Sequence, residues 1–437
     1  MRRPVTALVA LLAASLATVA TAAVGDLGRI DGAAEVDAVT SRIDRPVGDL
    51  AVAFDVGPVD RAVVEALDAA SRAAGGSSST RRGGSVGLRR IVRGTSVVHA
   101  PPSGHLIPMV FTAAPRSAHR GVYGFEIASV LGAGKAVVNE LMAETTGARV
   151  GDLLQLRTAG GGTLSVRIGS VAADADVGGS EIVIDTSIAD LLGFVDDTSA
   201  VAWGFTRDRF DREVRRVGLD TRANTRVARS WDRFDPDWTL STVRAKALLG
   251  EPWYRIEVDG SIVMHPTWIE TYLTDGRVLL DPVIQVRAQC HREVVGDLSA
   301  ALADVAAAGL AAEIDVVNTN TFGGCFVPRY SRDSGYLSRH TYGMAFDTNT
   351  VSNCLGCRPV MNCRIVRIFR EHGFAWGGNF RRPDGMHFEW VGEPRHLVDF
   401  PSEYCPNEVD AAAAVPSTLG RTVLAIGADP GAVSSGP

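Results

Sequence analysis

Two short stretches near the C-terminus alternate apolar and polar positions with a period of two. In Met344-Ala345-Phe346-Asp347, Met344 and Phe346 share one face while Ala345 and Asp347 share the other. In Met386-His387-Phe388-Glu389-Trp390, the apolar residues fall on one face and His387 and Glu389 on the opposite one. That period belongs to strands with one face on a core. Pro383-Asp384-Gly385 reads as a turn leading into the second strand. The same alternation recurs upstream. Leu154 and Leu156 alternate with polar neighbours, Gly160-Gly161-Gly162 makes a turn, and Leu164, Val166 and Ile168 alternate back. Ile182-Val183-Ile184 is a further strand, and residues 255–263 predict a hairpin across Asp259-Gly260. Residues 314–317 predict a strand leading toward Arg329.

Helical spacing appears in other places. Residues 58–72 put Val63, Val64, Leu67 and Ala70 on one face. Residues 187–192 form a short helix stopped by Gly193, and residues 126–147 contain another. Within 282–310, Val286, Cys290, Val294, Leu298, Leu302 and Val305 form one stripe. Residues 365–372 predict a helix ending at Gly373.

These elements predict an α+β chain. Its C-terminal domain, residues 246–407, has a small antiparallel sheet flanked by helices. A small β-rich domain of unassigned role precedes it at 103–205. Residues 24–102 hold the first helix and a flexible linker, the Gly- and Ser-rich run 75–84. Residues 206–245 mix Arg and Asp and read as an exposed connector or helix rather than an anion site. Residues 408–437 are Ala-, Ser-, Gly- and Pro-rich and predict a disordered tail.

The N-terminus has the form of an export signal. Arg2 and Arg3 precede an apolar run, and Ala20-Thr21-Ala22 offers a small-residue cleavage site, which sets residues 1–23 apart. An uncleaved membrane anchor is the alternative, since no charge occurs between Arg3 and Asp26. Either reading predicts a secreted or envelope-associated protein. With 437 residues there is room for two or three domains, and a net charge of −6 argues against nucleic acid as a partner. All six cysteines lie between Cys290 and Cys405. In an exported chain an even count favours disulfides. Cys354-Leu355-Gly356-Cys357 could instead hold a structural metal or act as a redox pair.

The candidate chemistry sits on the two strands first described. A catalytic zinc takes about three ligands from His, Asp or Glu and keeps one position open. His340, Asp347 and His387 provide such a set, and Asp384 stands at the mouth of the second strand. Glu389 shares the His387 face and is a candidate hydrogen-bond partner for a ligand, not a ligand itself. The pattern Ser338-x-His340, Gly343-x-Ala345-x-Asp347 and Asp384-x-x-His387 resembles the VanY-like zinc D-alanyl-D-alanine carboxypeptidases and the related L-alanyl-D-glutamate endopeptidases. The likeness covers about residues 246–407, with Trp376-Gly377-Gly378 also fitting. It implies that His340, Asp347 and His387 bind Zn2+, that Asp384 is the catalytic base, and that Arg329 contacts substrate. The carboxypeptidases usually carry Glu at the base position, so Asp384 favours endopeptidase action. The implied function is hydrolysis of peptidoglycan stem peptides: zinc would activate a water, and Asp384 would take its proton and return it to the leaving amine. No Ser-x-x-Lys arrangement supports a serine peptidase instead. The competing expectation is a non-catalytic wall-binding protein with a vestigial peptidase fold.

Overall fold

The computed structural model describes residues 48–55, 57–222, 225–315, 322–331 and 335–409. The expected export signal lies outside them, as does the expected tail beyond its first two residues.

The first half is built on ten strands: β1 (Leu50–Asp55), β2 (Ser77–Arg93), β3 (Ser96–His99), β4 (Ile107–Ala114), β5 (Ala136–Asn139), β6 (Leu153–Arg157), β7 (Thr163–Ala172), β8 (Ile182–Asp185), β9 (Ser199–Trp203) and β10 (Thr225–Arg229). The path β2-β4-β8-β5-β7-β6 returns to β2 and closes a barrel. Leu88, Met109, Phe111, Val138, Leu156 and Ile168 pack its interior. β2 makes the closure possible because it is 17 residues long. Its first part pairs with β9, its middle with β4 and its end with β6. Beyond β9 the sheet continues through β1 to β10. Helices α1 (Arg61–Ala73) and α2 (Arg207–Arg216) cover that wing through Val63, Leu67, Phe210 and Val214.

The fold departs from two expectations. Residues 75–84 are no linker: from Ser77 onward they are strand β2. The small residues are there for close approach, since a Cβ on Gly84 would stand 2.9 Å from the Phe194 ring. A composition typical of flexible chain therefore also fits a strand whose neighbours crowd it. The β-rich region is also not small, because β1, β2 and β10 extend it well outside 103–205. The mixed charges after residue 205 pair among themselves: Arg229 meets Asp211 at 2.8 Å and Asp220 at 2.7 Å.

The second half carries hairpins β11 (Tyr254–Ile256) with β12 (Ile262–Met264), and β13 (Val278–Asp281) with β14 (Val286–Ala288). A four-stranded antiparallel sheet follows, in the order β15 (Phe322–Gly324), β16 (Ala345–Thr348), β18 (His387–Trp390) and β17 (Phe374–Trp376). Helices α3 (Arg292–Ala307) and α4 (Cys363–Glu371) back this sheet, and Leu298, Leu302, Phe346, Ile365, Phe369 and Phe388 share one core. The helix expected within 282–310 is Arg292–Ala307, capped by His291, whose Nδ1 accepts from the Glu293 amide at 3.2 Å, and the first two positions of the expected stripe, Val286 and Cys290, precede it. Val286, Ala288 and Cys290 are buried because they alternate inward along and just past β14, which mimicked the start of a helical stripe. Ile314 and Asp315 are not strand, and the rest of that expected element lies outside the described residues. The cysteines form three disulfides: Cys290–Cys325, Cys354–Cys357 and Cys363–Cys405.

The two halves are joined by buried polar contacts. Lys246 Nζ lies 2.5 Å from Glu181 Oε1 and donates to the Pro108 carbonyl at 2.9 Å. Among the described residues no helix is long and apolar enough to cross a membrane.

Candidate metal centre

Asp347 and His387 face each other directly across the β16–β18 ladder. Residues paired this way project from the same face of a sheet, with Cβ atoms about 5 Å apart. Phe346 and Phe388, the next pair along, project from the other face toward Phe369, where the Phe388 ring stacks at 4.1 Å. The alternation therefore does two jobs. The aromatic face fixes the register, and the register sets the carboxylate opposite the imidazole.

His340 arrives from a 3-10 turn, Arg339–Tyr342. Ser338 caps the turn by accepting from the His340 amide at 3.3 Å, so its side chain serves the backbone. Gly343 ends the turn at φ +67°, and a Cβ there would lie 2.8 Å from the His291 amide nitrogen. The chain can therefore reverse into β16 only with glycine at this point. The turn is further held by the residue after β15: His340 Nδ1 donates to the Cys325 carbonyl at 2.9 Å, and Cys325 is fixed by its bridge to Cys290.

The three side chains converge. His340 Nε2 is 3.1 Å from Asp347 Oδ2, and His387 Nδ1 is 2.9 Å from Asp347 Oδ1. One donor atom from each residue lies within 4.8 Å of the other two. None of the three side-chain carriers is more than 2 % exposed. Burial would push the Asp347 carboxyl up, but the two imidazoles hold it well below the usual carboxylate range. Burial likewise opposes a charge on His387, yet Asp347 and Glu389 raise it to about 10. His340 Nε2 is buried and meets only the Asp347 carboxylate, without the geometry of a satisfied hydrogen bond. A buried imidazole nitrogen aimed at a carboxylate, with its other nitrogen already donating to a carbonyl, is suited to a metal. Two imidazoles and one carboxylate are also the donor set of a catalytic zinc site with an open position.

Asp384 is buried in the turn before β18. Its amide donates to the Gly377 carbonyl at 2.8 Å, and its carbonyl accepts from the His387 amide at 3.1 Å. Across the turn, Leu355 pairs with Asp384, and the Gly356 amide donates to Pro383 at 2.6 Å. The Cys354–Cys357 disulfide thus closes the loop that braces Asp384, in place of the alternative structural-metal role. Arg329 is half-buried. Its amide and carbonyl both bond to Thr341 Oγ1 at 3.0 Å, which ties its backbone to the His340 turn. Trp376 is fully buried, and its indole donates to the Gly385 carbonyl at 2.9 Å.

Residues 331–390 match the family model described as D-alanyl-D-alanine carboxypeptidase. The matched segment contains His340, Asp347, Asp384 and His387. The chain therefore carries a carboxypeptidase-family metallopeptidase segment, and its clustered ligand set fits a catalytic metal. Among curated proteins none matches the chain.

The pattern of the sequence did not point to three residues that support this centre. Arg339 pairs with Glu389 at 3.1 Å, Asp237 pairs with Arg370 at 2.6 Å, and the Cys325 carbonyl orients His340. Arg339 and Asp237 sit in stretches without periodicity. A backbone carbonyl leaves no trace in residue type.

Proposed function

We propose that this protein is a zinc metallopeptidase that hydrolyses peptide bonds in peptidoglycan stem peptides outside the cytoplasm. The observation that carries this reading is the convergence of His340 Nε2 and His387 Nδ1 on the Asp347 carboxylate, inside the segment matched by the carboxypeptidase family. A bound zinc supplies Lewis acidity, lowering the pKa of a water toward ~7 and polarising the scissile carbonyl.

The remaining work falls to the chain. His340 and His387 present unprotonated nitrogens, and Asp347 presents its charge between them. Asp384 acts as general base toward the attacking water and then returns the proton to the leaving amine. The backbone of its turn is braced on both sides, which limits movement of the carboxylate, as proton transfer requires. Arg329 pairs with a carboxylate or carbonyl of the substrate. Its backbone anchorage to the His340 turn couples that contact to the metal side of the site. An Asp at the base position supports endopeptidase over carboxypeptidase action.

The test is mass spectrometry of muropeptides after digestion by the full-length, zinc-loaded protein. A new fragment is expected, absent with a chelator and absent with His387→Ala; its mass names the bond. Intact muropeptides after incubation with folded, zinc-loaded protein would overturn the proposal.

A further inference from the structure

His387 stands between two carboxylates. Nδ1 faces Asp347 Oδ1 at 2.9 Å, and Nε2 faces Glu389 Oε2 at 3.5 Å. Both His387 and Glu389 are essentially without solvent exposure. The other oxygen of Glu389 lies 3.1 Å from Arg339 Nε. Arg339 is in turn fixed by chain that precedes the peptidase segment. It donates to the Leu240 carbonyl at 2.6 Å and to Thr242 Oγ1 at 3.3 Å.

We propose that Glu389 is a positioning residue for the metal centre, accepting a hydrogen bond from the Nε2–H of His387 so that Nδ1 is the bare nitrogen turned to the ion, with Arg339 holding Glu389 in place. The physical reason is that an imidazole can ligate through only one nitrogen if the other keeps its proton. The partner of the protonated nitrogen decides which is which. For His340 the partner is the Cys325 carbonyl, which leaves Nε2 for the ion. For His387 the ring is turned the other way round, and Glu389 is the acceptor on its far side. Cross-strand pairing explains the geometry. Glu389 is two residues along β18 from His387, on the same face, and sits opposite Ala345, whose small side chain leaves space for the carboxylate and for Arg339. Arg339 supplies the charge that a carboxylate with no access to water needs. Because the guanidinium is anchored to residues 240 and 242, the orientation of a metal ligand depends on chain well upstream of the matched segment.

This inference rests on the metal-centre reading above, and the experiment separates the two. Zinc affinity of the full-length protein is measured by competition with a fluorescent chelator for wild type, Glu389→Ala and Glu389→Gln. The ring nitrogens of 15N-histidine-labelled, zinc-loaded wild type are followed by NMR. Glu389→Ala is expected to bind zinc 10–100-fold more weakly. Glu389→Gln is expected to recover most of that loss, because its amide oxygen accepts the same N–H. The wild-type spectrum is expected to show His387 metallated at Nδ1 and protonated at Nε2. If wild type fails to bind zinc, the metal-centre reading falls. If wild type binds and Glu389→Ala binds equally well, or if His387 is protonated at Nδ1, only the role of Glu389 falls. Should Glu389→Ala not fold, the wild-type spectrum and the Gln variant still decide.

Discussion

Asp237→Ala is expected to destabilise the peptidase half severely, although residue 237 lies outside the segment that the family model matches. Asp237 is buried and accepts four hydrogen bonds: from Arg370 Nε at 2.9 Å and Nη2 at 2.6 Å, from the Trp376 amide at 3.0 Å, and from Asn379 Nδ2 at 2.8 Å. Arg370 has no solvent exposure, so removal of its counter-ion leaves a charge that water cannot reach. Two of its contacts survive, to the Cys405 carbonyl and to Asn407 Oδ1, each at 2.7 Å, but both acceptors are neutral. Breaking a buried pair from one side costs about 3–5 kcal/mol. The orphaned Trp376 amide belongs to the same network, so its cost is not added separately. Asp237→Asn keeps an acceptor and loses the charge, with an expected cost of about 1–3 kcal/mol. The assay is urea unfolding of the full chain followed by tryptophan fluorescence, with far-UV circular dichroism as a second probe. A loss below about 1 kcal/mol for Asp237→Ala would refute the reasoning, since the buried guanidinium would then have found compensation that the contacts do not reveal.

Four further outcomes follow from the site and its surroundings. Zinc binding near pH 7 should release about one proton, because His387 in the metal-free protein is raised to about 10 and must give up its proton to ligate. Affinity should therefore climb about tenfold per pH unit up to that value, and calorimetry in buffers of different ionisation enthalpy counts the proton. The same shift has the opposite consequence for the metal-free fold: the stabilisation from protonated His387 is complete below its ordinary value near 6.5 and is lost as pH rises through about 10. Asp384→Asn should leave zinc affinity within a few-fold of wild type and lower kcat by about 10²–10⁴, read from muropeptide turnover; an equal loss of metal would move Asp384 from base to ligand. Replacing Cys354 and Cys357 by Ser opens a loop with a separation of three residues, worth about 2 kcal/mol by loop entropy, whereas opening Cys363–Cys405, separated by 42, is worth about 4 kcal/mol. The first pair should nevertheless affect kcat more, because Leu355 and Gly356 brace the Asp384 turn; a larger kcat loss from the second pair would contradict this.

Much of the site was legible in the sequence for one reason: β16 and β18 each have one face on a core and the other on the site. A period of two then separates Phe346 and Phe388 from Asp347 and His387 without any knowledge of the partner strand. The hairpin of β6 and β7 and the short helices ended by glycine were legible on the same local grounds. β2 was not, because its signal depends on four different neighbours along one strand, and Gly83 and Gly84 look like freedom until Phe111 and Phe194 are placed against them. The false start of α3 had the reverse cause. Inward positions spaced two apart along β14 happened to continue the four-residue spacing of a real helix.

What no local pattern could express is that a metal ligand is held from outside its own motif. Asp237 fixes Arg370 and the Trp376 amide, Trp376 leads into Gly377, and Gly377 receives the Asp384 amide. Leu240 and Thr242 fix Arg339, Arg339 faces Glu389, and Glu389 faces His387. Two routes thus run from residues 237–242 to the two ends of the turn Asp384–His387. A segment rich in Asp and Arg reads as solvated chain because like composition is usually exposed. Here the burial of Asp237 and Thr242 says otherwise. A fragment cut at residue 246 would leave Arg339 and Arg370 without their upstream partners. The unit that can be expected to bind metal with native geometry therefore begins before Asp237.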